Sequence, residues 1–511
     1  MKKLIYLFIL SLLMVGCNED FLDRTNPNEL SNESFWSSEK DAHMGLMGCY
    51  DGLQSYYDAA GWSFGILRTD KFTDDGYCDW GSWFPGGDME RGKITPAVSW
   101  GNAHDWLWEG SYSVIGRCNQ VIANVPPMVE EEIINQKQSD RIVAEAKFIR
   151  ALVYNYMTMT FQDVPLVTEP LNIEESKMGK TPKAEIVDFI TTDLEESYQD
   201  LPASMSSSEW GRASQGAALS LLARINLWHN NYAEAASYAK QVIDMGQYSL
   251  YSDYDELFKA QNEQNDEIIF PISYVRGEAD KGMAFHFYWG SSHVPHVSAL
   301  SNLAEAFYCT DGLPIDESPL YDSADLNANR DPRYHTTIVS KGDTWRGDSL
   351  TAPPTGCPTE FEPRKYVEED NDEDHYDKPN DFYAFRYAHI LLIRAEALAQ
   401  QGANPSEVIQ IINQLRDRVN MPHVEGNPTG QELLEIVQHE KRVETAFEGL
   451  RYFDLKARGK LKERAFDFYM QQEASEYGLA TRQWSDKLLY WPIPQESIDV
   501  NENLKQHDVW K

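Results

Sequence analysis

Positive charge is what this chain of 511 residues is short of: 45 lysines and arginines stand against 81 aspartates and glutamates, a net charge of −36. Phosphate backbones need a basic footprint, so nucleic acid is excluded as a partner, and an anionic membrane surface would repel the chain. Cysteine is scarce as well, with six residues, no CxxC pair and no zinc-like spacing. Beyond Cys17, the cysteines Cys49, Cys78, Cys118, Cys309 and Cys357 read as mostly buried thiols. An exported protein could form one disulfide from them, and the sequence does not mark which pair. No nucleophile elbow or P-loop occurs, and no cofactor motif is present. The one long apolar run, from Leu4 to Val15, is too short to span a bilayer as a folded helix.

That run follows Lys2 and Lys3 and ends in Gly16 and Cys17, the pattern of a cleavable export signal. Small residues before a cysteine at this point resemble a bacterial lipobox, in which Cys17 takes the lipids and becomes the first mature residue. Met14 stands where such sites usually carry leucine; the alternative is plain secretion with Cys17 unmodified. On this reading residues 1–16 are removed, 17–36 form a lipidated polar tether, and 37–511 fold as a single body. The mature chain carries 43 basic against 81 acidic residues, a net charge of −38.

Periodicity predicts helices in pairs. In residues 139–161, Ile142, Ala146, Ile149, Leu152, Val153 and Tyr156 fall on one stripe at helical spacing. The Ala-rich segment 213–229 breaks at Asn230-Asn231 and leads into a second helix closed by Gly246. Residues 387–402 and a helix opened by Asn404-Pro405 make another hairpin. Thr429 and Glu432 then match the capping-box pattern of a further helix, with Gly449 placed to stop it. The expected fold is mostly α: a tetratricopeptide-like helix-turn-helix scaffold with irregular spacing. Residues 62–105 and 262–386 interrupt it as long, aromatic-rich irregular insertions with only minor short strands such as EIIFPISY.

Several ordered segments together resemble the SusD/RagB family of Bacteroidetes outer-membrane lipoproteins, over nearly the whole chain. They are CNEDFLDRTNPN, AEAKFIRALVYNYMTMTFQDVPLV, WGRASQGAALSLLARINLWHNNYAEAASYAKQVID, NRDPRYHTTI, YAHILLIRAEALAQQG, EKRVETAFEGLRYFDLKARGK and LYWPIPQESIDVNENLKQHDVW. Departures are Gln162 where the family usually has glycine, Thr445 in place of an apolar residue, and LKARGK for a more Arg- and Trp-rich stretch. Glu440, Arg442, Glu444, Glu448, Arg451 and Asp454 are expected to tie helices together. The resemblance implies an N-terminal half of about 37–261 and a C-terminal half of about 262–511. It also implies a lipid-anchored protein exposed at the cell surface, lying over a SusC-like TonB-dependent transporter, that binds an oligosaccharide, delivers it to the channel and is not an enzyme.

Sugars offer apolar C–H faces and hydroxyl rims, which exposed aromatic rings and a few polar side chains can hold. The segment 70–92 carries Tyr77, Trp80, Trp83 and Phe84 among glycines and a proline, with Asp79 beside them. The resemblance supports it, because starch-binding members carry stacking tryptophans just before the helix that here begins near Ala103. Tyr288 and Trp289 in residues 284–296 and Trp345 in KGDTWRGD complete the candidate ligand set. Asp88, Arg91 and Arg346 are possible polar partners, whereas Trp100, Trp106 and Trp108 read as packing residues. With 14 Trp, 27 Tyr and 21 Phe in the chain, core burial competes with ligand contact at every one of these rings.

A glycosidase would need two carboxylates at a defined separation; Asp74-Asp75 is such a pair only by adjacency, which 81 acidic residues make uninformative. His293 and His296 flank a proline that spoils a helical zinc face. The run from Asp370 through Asp372 and Asp374 to Asp381 resembles a calcium loop, but His375 replaces its turn glycine and Lys378 takes a ligand position. No metal site is therefore read from the sequence. The competing function is capture of peptide or protein, as a scaffold subunit of a TonB-dependent uptake complex; it calls for an extended groove with backbone-pairing groups.

Overall fold

The computed structural model describes residues 35–57, 65–78, 86–97, 103–278, 281–283, 297–354, 357–369 and 377–511. The longer helices are α1 (Glu39–Tyr57), α2 (Ala103–Asn124), α3 (Gln136–Thr160), α4 (Lys183–Ser197), α5 (Gln215–Trp228), α6 (Tyr232–Asp244), α7 (Tyr387–Gln400), α8 (Pro405–Arg418), α9 (Gly430–Thr445) and α10 (Arg451–Ala457). Each of α1 to α7 packs on the next, and α7 packs in turn on α8 and α9, so the helices form a continuous stack. The mostly α architecture read from periodicity is the one observed.

Local chemistry explains the helix starts. At α3, the Gln138 N–H donates to Asn135 Oδ1 and the Asn135 N–H donates to Gln138 Oε1, both at 3.0 Å, a reciprocal capping box. The Ser214 hydroxyl caps α5 by accepting the Ala217 N–H at 3.2 Å. The box expected at Thr429 and Glu432 does not form: Thr429 is the N-cap residue, yet its side chain accepts no cap bond. Nor does Gly449 stop α9, which ends at Thr445. Helices α5 and α7 are buried on nearly every face, as expected of elements with helices on several sides, while α6 and α8 bury one stripe.

Eight short strands occur in the described residues: β1 (Gly76–Tyr77), β2 (Ile268–Ile272), β3 (Ser298–Ala299), β4 (Ile338–Val339), β5 (Thr344–Trp345), β6 (Asp348–Ser349), β7 (Glu362–Pro363) and β8 (Phe382–Arg386). All pair antiparallel in twos: β1 with β3, β2 with β8, β4 with β7 and β5 with β6. Strand β2 lies within EIIFPISY, and all five of its residues are buried.

Strand β8 runs directly into α7 and carries Arg386 to the centre of the molecule. Its fully buried guanidinium donates to both Glu448 oxygens at 2.8 and 2.7 Å, to Glu267 Oε1 at 2.8 Å and to Glu444 Oε1 at 2.7 Å. Burial alone would raise the Glu448 carboxyl, but Arg386, Lys365 and His389 outweigh it and hold it well below the usual carboxylate range. Arg333 and Arg416 bind Glu440, while Lys441 joins Glu396 to Asp454. The glutamates anticipated on and after α9 thus bind helices and strands together through arginines distant in sequence, Glu440 through Arg333, and Glu444 and Glu448 through Arg386.

Candidate functional site

A second node of this kind fixes the segment that leads into the first aromatic stretch. Asp74 accepts from Arg451 Nε and Nη2 at 2.9 Å each and from Arg464 Nε at 2.8 Å, and Asp75 accepts from Arg442 Nε at 2.8 Å. The Asp70 carboxylate accepts the Gly449 and Arg451 N–H groups at 2.8 and 3.2 Å. Gly449 sits at φ +68°, where an added Cβ would lie 3.3 Å from Leu67 Cα. Desolvation would raise the Asp74 carboxyl, but Arg442, Arg451 and Arg464 hold it well below the usual range. A general acid needs the opposite shift from that of Asp74, and with Asp75 held by Arg442 the adjacent pair is an ion-pair anchor.

From that anchor the chain enters β1. Tyr77 pairs with Ser298 and Gly76 with Ala299 in antiparallel register. The chain leaving β1 toward residue 79 and the chain reaching β3 from residue 296 therefore stand at the same end of one ladder. Ala299 also bridges to Phe361, next to β7, and β7 pairs with β4. Cys357 Sγ donates to Ser298 Oγ at 3.2 Å. One flank each of 79–85, 284–296 and 355–356, at Tyr77, Ser298 and Cys357, is thus gathered on one small patch of strands.

The described chain on either side of 79–85 is clasped together. Glu90, at the end of the short helix Gly87–Glu90, accepts the Cys78 N–H at 3.1 Å through Oε1. The same oxygen accepts from Arg482 Nη2 at 3.0 Å. Arg482 also donates to the carbonyls of Thr73, Ala465, Lys71 and Gly76 at 2.6, 3.0, 3.0 and 2.8 Å. Burial pushes the Glu90 carboxyl up, and Arg482 opposes that shift. Gly92, at φ +69°, packs so closely that a Cβ would fall 1.8 Å from the Gln483 carbonyl oxygen. Sequence reading missed Glu90 and Arg482 because neither lies in a motif and their partnership spans 392 positions.

Two candidate rings are placed differently from a free stacking platform. Tyr77 is 2% exposed, stacked on Tyr469 at 6.2 Å, with its hydroxyl accepting the Ala480 N–H at 3.2 Å. Trp345 is 7% exposed, with the Arg346 and Arg364 guanidiniums 5.5 and 5.8 Å from its ring centre. Both are buried rings and not open platforms, because apolar ring area is better buried in the core than left open. Arg346 and Gly347 at φ +52° and +83° form the turn between β5 and β6 that carries Trp345. Asp79, Trp80, Trp83, Phe84, Tyr288 and Trp289, like Cys17 and Trp100, lie outside the described residues.

Of the tryptophans assigned to packing, Trp108 is buried against Tyr112 and Phe161 at 5.0 and 5.1 Å, but Trp106 is 40% exposed on α2. A separate groove of about 760 Å³ is lined by Trp108, Tyr112, Val167, Ile173 and Val500. Asp381, the last position of the calcium-like run, accepts from Trp210 Nε1 at 2.7 Å and from the Tyr274 N–H at 3.0 Å, and burial pushes it up to about 6. Among the described residues no group of three or more His, Cys, Asp or Glu could hold a metal ion.

Two family models match the chain: one described as the SusD family over residues 260–510, and one described as starch-binding associating with outer membrane over 20–227. The chain belongs to the SusD/RagB family. This SusD/RagB member is 25% identical over 499 residues to a SusD-like protein of Formosa agariphila, covering 88% of this chain and 90% of the other. It is 26% identical to the starch-binding protein SusD of Bacteroides thetaiotaomicron, covering 81% and 80%. A SusD-like carbohydrate binding protein from Bacteroides fragilis superimposes with a TM-score of 0.82 at 27% identity, over 92% of this chain and 100% of that one.

Proposed function

We propose that this SusD/RagB member is a non-catalytic glycan-capturing lipoprotein of the outer membrane. The observation that carries the reading is the β1–β3 ladder, which ties the ends of two aromatic-rich segments to one point of a chain whose relatives include starch- and carbohydrate-binding proteins. Trp80, Trp83 and Phe84, with Tyr288 and Trp289, supply the stacking faces, Asp79 supplies a hydroxyl acceptor, and Tyr77 and Trp345 are buried parts of the framework that carries the site. Binding is by stacking and hydrogen bonds, without bond cleavage; the arginine-bound state of Asp74 and Asp75 supports this. Residues 1–16 are the cleaved signal, Cys17 bears the lipid, 17–36 form the tether, and the body 37–511 is exposed at the cell surface. The captured oligosaccharide passes to a SusC-like TonB-dependent transporter.

Calorimetry of residues 18–511 against neutral and acidic glycans tests this, with Trp80→Ala and Trp83→Ala alongside. Binding by the parent chain, lost by more than about tenfold in folded variants, is the expected result. Binding of short peptides with no response to any glycan would replace it with the peptide-capture reading.

A further inference from the structure

The sequence left the cysteine pairing open, and the helix packing brings one pair into register. Helices α1 and α2 pack along one seam on which small residues admit a close approach. A Cβ on Gly110 would lie 3.8 Å from Tyr56, and a Cβ on Gly52 would lie 2.8 Å from Val114 Cγ2. One turn further along, Arg117 Nη1 donates to the Gly48 carbonyl at 2.7 Å. Tyr56, Gly52 and Cys49 follow one another at i, i−4 and i−7; Gly110, Val114 and Cys118 do so at i, i+4 and i+8. The antiparallel register therefore sets Cys49 against Cys118. Both are fully buried free thiols, and the Cys49 Sγ donates to the Gly45 carbonyl of its own helix at 3.6 Å.

We propose that Cys49 and Cys118 form an intramolecular disulfide that locks the first helix of the body to the second. Directly facing residues on two packed helices can come within the Cα separation a disulfide requires. The oxidant is another disulfide: a protein dithiol-oxidase in the exporting cell, or oxidised glutathione in the tube. One cysteine thiolate attacks the oxidant's S–S bond, forming a mixed disulfide and releasing one thiol. The second cysteine thiolate then attacks the mixed sulfur, forming the Cys49 Sγ–Cys118 Sγ bond and releasing the second thiol, so two protons and two electrons leave the protein. Burial suppresses the Cys118 thiolate in the folded state, so exchange proceeds before α1 docks on α2. The bond closes a loop of about 70 residues and so removes freedom from the unfolded chain. It also secures the helix that follows the N-terminal tether. Only the oxidant in the cell depends on the export reading.

The test is to refold residues 18–511 in a glutathione redox buffer, unfold them in urea with iodoacetamide and no reductant, and map the digest by mass spectrometry. A Cys49–Cys118 linked peptide, with Cys78, Cys309 and Cys357 alkylated, is expected. The oxidised chain should unfold at a higher temperature than the reduced one, and Cys49→Ser and Cys118→Ser should lose that redox dependence. Alkylation of both Cys49 and Cys118, their linkage to other cysteines, or a bond that lowers the unfolding temperature would overturn the inference. Linkage on refolding but not in protein taken from its own cells would keep the pair and count against export instead.

Discussion

Replacing Arg482 by methionine removes the clasp that joins the chain on either side of 79–85 while keeping an apolar stem of similar length. The side chain is 4% exposed and makes five hydrogen bonds, four to carbonyls and one to Glu90. Leaving a buried acceptor unsatisfied costs about 1 kcal/mol at the low end, so the four carbonyls contribute about 4 kcal/mol. Stranding Glu90 would add about 3 kcal/mol if it stayed charged. Burial already favours its neutral form, however, so protonation caps that addition, and water reaching some carbonyls trims the rest. The expected loss is about 4 kcal/mol, read by urea unfolding at pH 7 with tryptophan fluorescence. Glu90→Gln keeps an oxygen for the Cys78 N–H and should lose only about 1 kcal/mol. Where Arg482→Met remains folded, glycan affinity should fall about tenfold, because the aromatic segment loses its preorganised base. A variant within about 1 kcal/mol of the parent, or one that binds glycan unchanged, would refute the clasp.

Arg386→Met should cost about 3–5 kcal/mol in the same unfolding assay, since Glu448, Glu444 and Glu267 lose a shared counter-ion in a fully buried setting; a loss below about 1 kcal/mol would deny the node its structural role. Gln162→Gly should stabilise by about 0.5 kcal/mol, because Gln162 holds φ +69°, a conformation glycine adopts without strain. Burial pushes Glu362 up to about 8 against an ordinary 4.5, with Arg346 opposing the shift, so the native state keeps a proton that the unfolded chain has lost. Stability should therefore fall as pH rises from about 4.5 to 8, by up to about 1.4 kcal/mol per unit from this group. Unfolding measured across that range should show a flatter profile in Glu362→Gln, and an unaltered slope would exclude Glu362 as its source.

What the sequence by itself determined was whatever rests on local pattern. Apolar spacing located α3 from Ile142 to Tyr156, the Ala-rich run and the Asn230-Asn231 break located α5 and α6, and Pro405 marked the start of α8. Ordered segments along the chain carried the family. Caps were less legible: Thr429-x-x-Glu432 matches a pattern whose bonds depend on side-chain rotation, and the working box at Asn135 and Gln138 went unmarked. Residues that act across hundreds of positions were decided only by tertiary structure. Tyr77 lay in the best ligand stretch by composition, yet Tyr469 and Ala480 enclose it. Trp106 and Trp108, two apart on α2, stand on opposite faces by helical geometry, and only the packing of neighbours decided which face is covered. Asp74 and Asp75 were an uninformative pair among 81 acids until Arg442, Arg451 and Arg464 closed on them. Periodicity is a property of consecutive residues, whereas burial, ion pairing and the facing of Cys49 with Cys118 depend on which distant surface the fold brings opposite.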